Sequence, residues 1–173
     1  NQKKVFERIV VLKIIRNANG IIRQIHIVNI ITPPNGLNYK EQATIVKQTF
    51  YKYGGNLDLN KSRVKAVVID ANSIGQGLVE ALLEDTTDPE TNEELGCWGT
   101  INTDDKPSVP NSPPIVYSLK AQGINGAIIR TFIDNVESNR LKLVKQFSDI
   151  KEHLSENDTN LNEIEVTSAQ TQL

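Results

Sequence analysis

KAVVIDANSIGQGLVEALL, Lys65 to Leu83, is the segment from which the architecture of this chain is best read. Val67, Val68 and Ile69 form a short β-branched run with the composition of a strand, and it stops at Asp70. After a loop holding Gly75 and Gly77, Leu78, Val79, Ala81, Leu82 and Leu83 recur at helical spacing. A strand that ends on a carboxylate and turns through glycines into an amphipathic helix is the β–α unit of an α/β fold.

Open α/β sheets bind ligands beyond the carboxyl ends of their strands, which makes Asp70 the first candidate for chemistry. A carboxylate at the end of a buried strand needs a hydrogen-bond partner or a cation. Two roles follow: a metal ligand, or a cap whose side chain accepts backbone N–H groups of the next turn. Asn72 carries the same pair of readings. Gly75-Gln76-Gly77 falls short of a dinucleotide fingerprint, because Glu80 occupies the position where a third small residue is needed. The glycines instead suit a loop that passes close to neighbouring backbone. No phosphate-binding loop of the Walker type is present.

Upstream, Phe6–Arg16 and Ile21–Thr32 are β-branched runs around Asn17-Ala18-Asn19-Gly20, which predicts a β-hairpin. Pro33-Pro34-Asn35-Gly36 ends the second strand. Tyr39, Ala43, Val46, Phe50 and Tyr53 then form one helical stripe, with Asn38 and Glu41 spaced as a capping box and Gly54-Gly55 closing the helix. Downstream, Glu84–Pro113 reads as a long polar loop, and its acidic residues Glu84, Asp85, Asp88, Glu90, Glu93 and Glu94 as solvated. Trp98 is expected to anchor that loop. Ile115–Leu119 reads as a strand, and Asn125-Gly126 opens a helix with Ile128, Ile129, Phe132, Ile133 and Val136 on its apolar side. A further helix is expected over Leu141–Leu154. Strand, strand, helix, strand, helix, strand, helix is an α/β order with a mixed sheet. The expected organisation is one domain over residues 1–155 and a polar segment over 156–173.

The 173 residues, 38% of them hydrophobic and 23% charged, suit a globular chain with its own core. One cysteine, Cys97, excludes an internal disulfide framework and a cysteine-based zinc cage. No apolar run reaches the roughly 20 residues a membrane helix needs. The net charge of -2 gives no global footprint for nucleic acid, although Lys120, Arg130, Arg140, Lys142 and Lys145 are candidates for a DNA face as well as for a solvated helix face. His26 and His153 read as structural or solvated. The chain has no methionine, and the expectation is that it is part of a longer protein.

The segment from Val67 to Leu83, with its order of hydrophobic strand, Asp70, Ala71, Asn72, Gly75, Gly77 and amphipathic helix, resembles the C-terminal nuclease domain of phage terminase large subunits. The Asn38–Tyr53 helix, the hairpin before it and the Ile115–Ala121 strand followed by an Asn-led helix extend the resemblance over most of residues 5–150. Ser73 departs from the glycine usual there. The resemblance implies a ribonuclease H-like mixed sheet flanked by helices. It also implies an endonuclease that cuts concatemeric viral DNA with two Mg²⁺ or Mn²⁺ ions, which activate water and stabilise the leaving oxygen. Asp70 would be one metal-binding acid, with Asn72, Gly75 and Gly77 supporting its loop. The family's other acids would lie outside this chain, Asp134 being the nearest downstream candidate. Implied partners are double-stranded DNA, a portal and a small terminase subunit, in the cytoplasm of an infected bacterial host, with no membrane. The alternative is a non-catalytic module of the same fold that binds DNA or packaging partners.

Overall fold

The computed structural model describes residues 8–72, 75–120 and 123–143, and they form a mixed α/β fold. The chain divides into two compact units, one of Asn1–Asn35 with Gly126–Leu173, the other of Gly36–Asn125.

In the first unit, strands β1 (Ile9–Arg16) and β2 (Ile22–Ile31) make the expected hairpin, in register from Ile9↔Ile31 to Arg16↔Ile22. Asn17 organises the turn: its Oδ1 accepts from the backbone N–H groups of Asn19 (3.0 Å) and Ile21 (2.9 Å). Gly20 takes φ 76°, a left-handed conformation that an L side chain rarely adopts. Two register shifts, at Val11/Leu12 and Ile15/Arg16, bend the ladder. Helix α3 (Asn125–Glu137) forms where the apolar spacing predicts it, yet none of its residues is buried. Leu141–Leu143 is not helical as expected: it is the last strand, and it pairs parallel to β2 in a sheet ordered with β2 at the centre. The ladder to Ile25, His26 and Ile27 outcompetes the local helical spacing there. The rest of the expected Leu141–Leu154 helix, His153 and the 156–173 segment lie outside the described residues.

In the second unit, α1 (Tyr39–Lys52) carries the predicted capping box. Asn38 Oδ1 accepts from the Lys40 and Glu41 N–H groups, and Glu41 Oε2 accepts from the Asn38 N–H at 2.7 Å. Strand β3 (Val67–Asp70) leads into α2 (Gly75–Leu82), as the sequence predicts. The long 84–113 segment is more ordered than a polar loop. It holds β4 (Thr86–Thr87) and β5 (Glu94–Gly96), paired antiparallel, and β6 (Gly99–Thr100). Strand β7 (Pro114–Leu119) pairs parallel with both β3 and β6. The described strands therefore form a mixed sheet in one unit, and a parallel sheet and a two-stranded ribbon in the other. Burial in this unit centres on Phe50, Val79, Leu82, Leu95, Trp98, Ile115 and Val116. The rings of Phe50 and Trp98 meet at 4.8 Å between centroids.

Candidate functional site

Strand β3 alternates: Ile69 is buried, whereas Val68 and Asp70 are exposed on the opposite side. Pairing with β7 continues through Asp70↔Leu119, and the Ala71 N–H donates to Leu119 O at 2.9 Å. The ladder thus fixes the backbone of Asp70 to its last atom while leaving the carboxylate in solvent. The carboxylate is therefore not buried, as a strand covered on both faces would make it: Val68 and Asp70 face solvent while Ile69 faces the core.

The loop after β3 arranges that carboxylate. Asp70 Oδ1 accepts from the Asn72 backbone N–H at 3.2 Å and from Asn72 Nδ2 at 2.7 Å. Oδ2 makes no hydrogen bond among the described residues. The cap reading is met in part, since one backbone N–H of the turn is satisfied, but no N–H of α2 reaches Asp70 among the described residues. The free oxygen is what a hard cation or a water would meet.

Gly75 closes the turn. Its N–H donates to Asn72 O at 3.2 Å, and a Cβ built there would stand 1.6 Å from the Asp70 carbonyl oxygen. Only glycine lets α2 begin this close to the end of β3. Asp70, Asn72 and Gly75 are therefore one assembly. Gly77 belongs elsewhere: a Cβ there would lie 2.4 Å from Tyr39 Cε2, so its role is to let α2 pack on α1. Ser73 and Ile74 lie outside the described residues.

Asp70 and the Asn72 carboxamide oxygen are hard donors of the kind Mg²⁺ or Mn²⁺ takes. Among the described residues, no group of three His, Cys, Asp or Glu side chains is arranged to hold a metal. The described donors thus fit part of a coordination shell and do not complete one. Asp134 is exposed in α3, in the other unit. Among the candidate basic residues, Lys120, Arg130 and Arg140 are exposed, Lys142 is half-buried in the last strand, and Lys145 lies outside the described residues.

No family model, curated protein or solved structure matches the chain. No helix among the described residues is long and apolar enough to cross a membrane.

Sequence reasoning missed a polar hub in the same unit. Lys47 is fully buried, and its Nζ donates to Glu84 O (2.7 Å), Thr86 Oγ1 (2.9 Å) and Gly96 O (2.6 Å) while lying 5.6 Å from the Trp98 ring. Burial lowers its pKa to about 8 despite the nearby Cys97, Asp85 and Glu84. Position 47 shares the buried stripe with Ala43, Val46 and Phe50, so a cation on an apolar helix face was the readable signal. Asp88 is likewise not the solvated residue expected. It is buried, accepting from Gln48 Nε2 (2.7 Å) and the Glu90 N–H (2.8 Å), and the Gln48 bond first, then the Glu90 N–H, hold its pKa low. Tyr51 Oη adds a bond to Leu95 O at 2.8 Å. Three side chains of α1 therefore pin the acidic segment in place.

Proposed function

We propose that this chain belongs to the nuclease part of a terminase-type DNA-packaging enzyme, with a ribonuclease H-like fold, and that Asp70 is one of its metal-binding carboxylates. The observation that carries this reading is the placement of Asp70: at the carboxyl end of a parallel strand, exposed, with Oδ1 held by Asn72 and Oδ2 without a hydrogen bond among the described residues. Divalent cations bound there would polarise water and neutralise charge on the leaving oxygen of a phosphodiester. The chain's own part is to fix one oxygen donor: Asn72 orients the carboxylate, and Gly75 keeps the turn tight enough to hold it at the strand end. The remaining donors would come from outside the described residues. Double-stranded DNA is the proposed substrate; a portal, a small terminase subunit and the cytoplasm of an infected bacterium are the proposed setting.

This chain, with one of the family's acids, is expected to be inactive alone, so Mn²⁺-dependent plasmid nicking by a protein extended beyond it at both ends tests the assignment. Asp70→Ala is expected to remove the activity, and an unchanged rate in that variant sinks the role given to Asp70.

A second reading, a non-catalytic module that docks packaging partners, draws on α3. Ile129, Phe132, Ile133 and Val136 are all exposed along it, more apolar surface than a solvated helix usually shows. An extended protein that folds and binds DNA or a partner but never nicks plasmid supports that reading over the first.

A further inference from the structure

The sheet of the first unit turns its more apolar face to solvent. Register defines the two faces. Ile14↔Ile25↔Leu141 and Leu12↔Ile27↔Leu143 are complete rows across β1, β2 and the last strand, and Val10 continues them along β1. Paired residues point to one side of a sheet, so these rows give a face of leucine, isoleucine and valine. The opposite face carries the row Lys13↔His26↔Lys142. His26 is nevertheless buried, whereas Val10, Leu12, Ile14 and Leu143 are between 46% and 56% exposed. A sheet with one open face normally turns its apolar side inward.

Helix α3 shows the same imbalance. Ile129, Phe132, Ile133 and Val136 stand at i, i+3, i+4 and i+7, forming one stripe that is between 45% and 59% exposed. The turn after the helix is a closed cap. Asn139 takes φ 57°, its N–H donates to Val136 O at 3.0 Å, and the Arg140 N–H donates to Asn135 O at 2.9 Å. Arg140 O then accepts from the Ile25 N–H, which ties the cap to the sheet. Helix and sheet are thus joined by a fixed turn while the stripe and the apolar face both stay open. No isoleucine, leucine, valine or aromatic side chain is buried among the described residues of this unit. A unit without a buried apolar core needs a covering layer.

The two open surfaces fit each other in size. The face is three strands wide, about 10 Å. Helix α3, with 13 residues, is about 20 Å long and about 10 Å across. At roughly half exposure, the eight side chains offer on the order of 700 Å² per copy, against about 800 Å² per partner in a standard interface. None of the eight is charged, so closing them desolvates no ion. We propose that the chain forms a two-fold dimer in which α3 of each copy lies on the Val10, Leu12, Ile14 and Leu143 face of the other. Two-fold symmetry closes both pairs of surfaces at once and leaves none for further growth. The dimer is independent of the nuclease reading.

Sedimentation equilibrium of the full chain tests it. A dimer is expected at about 50 µM; a chain still monomeric at about 200 µM, whatever else covers the face, overturns the proposal. Open-ended association in place of a dimer overturns it too. Phe132→Asp and Leu12→Lys should each raise the dimer dissociation constant at least about thirty-fold. Mixed together, the two variants should form a heterodimer again, because α3 of the Leu12→Lys copy still meets an intact face. At the second contact of that heterodimer an aspartate meets a lysine. No heterodimer, or a Leu12→Lys chain that dimerises as wild type, would overturn the helix-on-sheet arrangement. If circular dichroism shows Leu12→Lys unfolded, Leu143→Lys alters the same face and carries the same expectation. Val109→Asp removes a similarly exposed apolar side chain from the other unit and should dimerise as wild type. An equal loss there would mean unspecific association and would overturn the proposal. The two readings fail separately: an extended Asp70→Ala protein that nicks plasmid as well as wild type sinks only the nuclease reading, and a monomeric chain sinks only the dimer.

Discussion

Gly77 and Tyr39 interlock: α2 lies so near α1 that a Cβ at position 77 would stand 2.4 Å from the Tyr39 ring. Gly75, two residues earlier, is blocked differently, because a Cβ there would strike the Asp70 carbonyl oxygen at 1.6 Å. A ring at 40% exposure on the first turn of a helix can swing aside; a strand carbonyl held in a ladder cannot. Gly77→Ala should therefore cost about 1–2 kcal/mol, part of the clash being offset by better helix propensity. Gly75→Ala should cost about 3 kcal/mol or more. Urea midpoints of the two variants check the order, and a reversed order refutes the packing argument.

Asp70 itself carries little of the fold. Its carboxylate is exposed and, among the described residues, bonds only to Asn72, so Asp70→Ala should change stability by less than about 1 kcal/mol. A well-folded Asp70→Ala protein is what makes the nicking assay interpretable. A variant that unfolds instead would show the residue to be a structural cap.

Lys47 gives the chain a distinctive alkaline response. Below its folded pKa of about 8, folded and unfolded chains both carry the ammonium, so the burial cost is fully present. Between about 8 and the ordinary 10.5, the folded chain gives up its proton first and the cost is relieved. Wild-type stability should rise relative to Lys47→Met across that window by on the order of 1–2 kcal/mol, after discounting for screening. At neutral pH the variant should still be the weaker protein by about 1–3 kcal/mol, because the carbonyls of Glu84 and Gly96 lose their donor. Urea melts at pH 7.5 and 10 measure both terms. A constant gap between the two proteins would contradict the buried-ammonium account.

Asp88 should act at the opposite end of the scale. Its folded pKa lies below the ordinary value of 3.8, so it contributes stability above that value and loses it as pH falls through the folded pKa. Asp88→Ala should be less stable than wild type at pH 7, with the difference shrinking below about pH 4. Denaturant midpoints at pH 7 and pH 3 decide it, and a gap of the same size at both argues that Gln48 and the Glu90 N–H do not need the charge.

Cys97 is buried, and its Sγ donates to Leu83 O at 2.8 Å. Thiol reagents should label it slowly in the native protein and rapidly in denaturant. Fast native labelling would mean that the segment pinned by Lys47 and Tyr51 opens readily.

Much of the architecture was legible because its signals are local. The Asn-Gly turn, the Asn38/Glu41 box and the β-branched run ending at Asp70 each announce themselves within a few residues. The short strands β4, β5 and β6 were not, since two- and three-residue strands have no period to read. Lys47 and Asp88 escaped because their partners stand 37 to 49 and 40 residues away. At the candidate site the position of Asp70 was readable, but its exposure was not. Exposure depends on which face of β3 the rest of the chain covers, and one strand's pattern does not say. The opposed roles of Gly75 and Gly77 were hidden likewise, one glycine being dictated by a carbonyl and the other by a distant tyrosine ring.

The parallel ladder between Ile25 on β2 and Leu141 sets a clock on biosynthesis. The two positions are 141 minus 25, or 116, residues apart. The hairpin can close within microseconds of emerging, but one of its edges must wait for a partner translated 116 residues later. At ribosomal speeds that is roughly 6–25 s during which one edge of an isoleucine-rich strand waits unpaired. Synthesis of this segment should therefore depend on chaperones that hold the open edge.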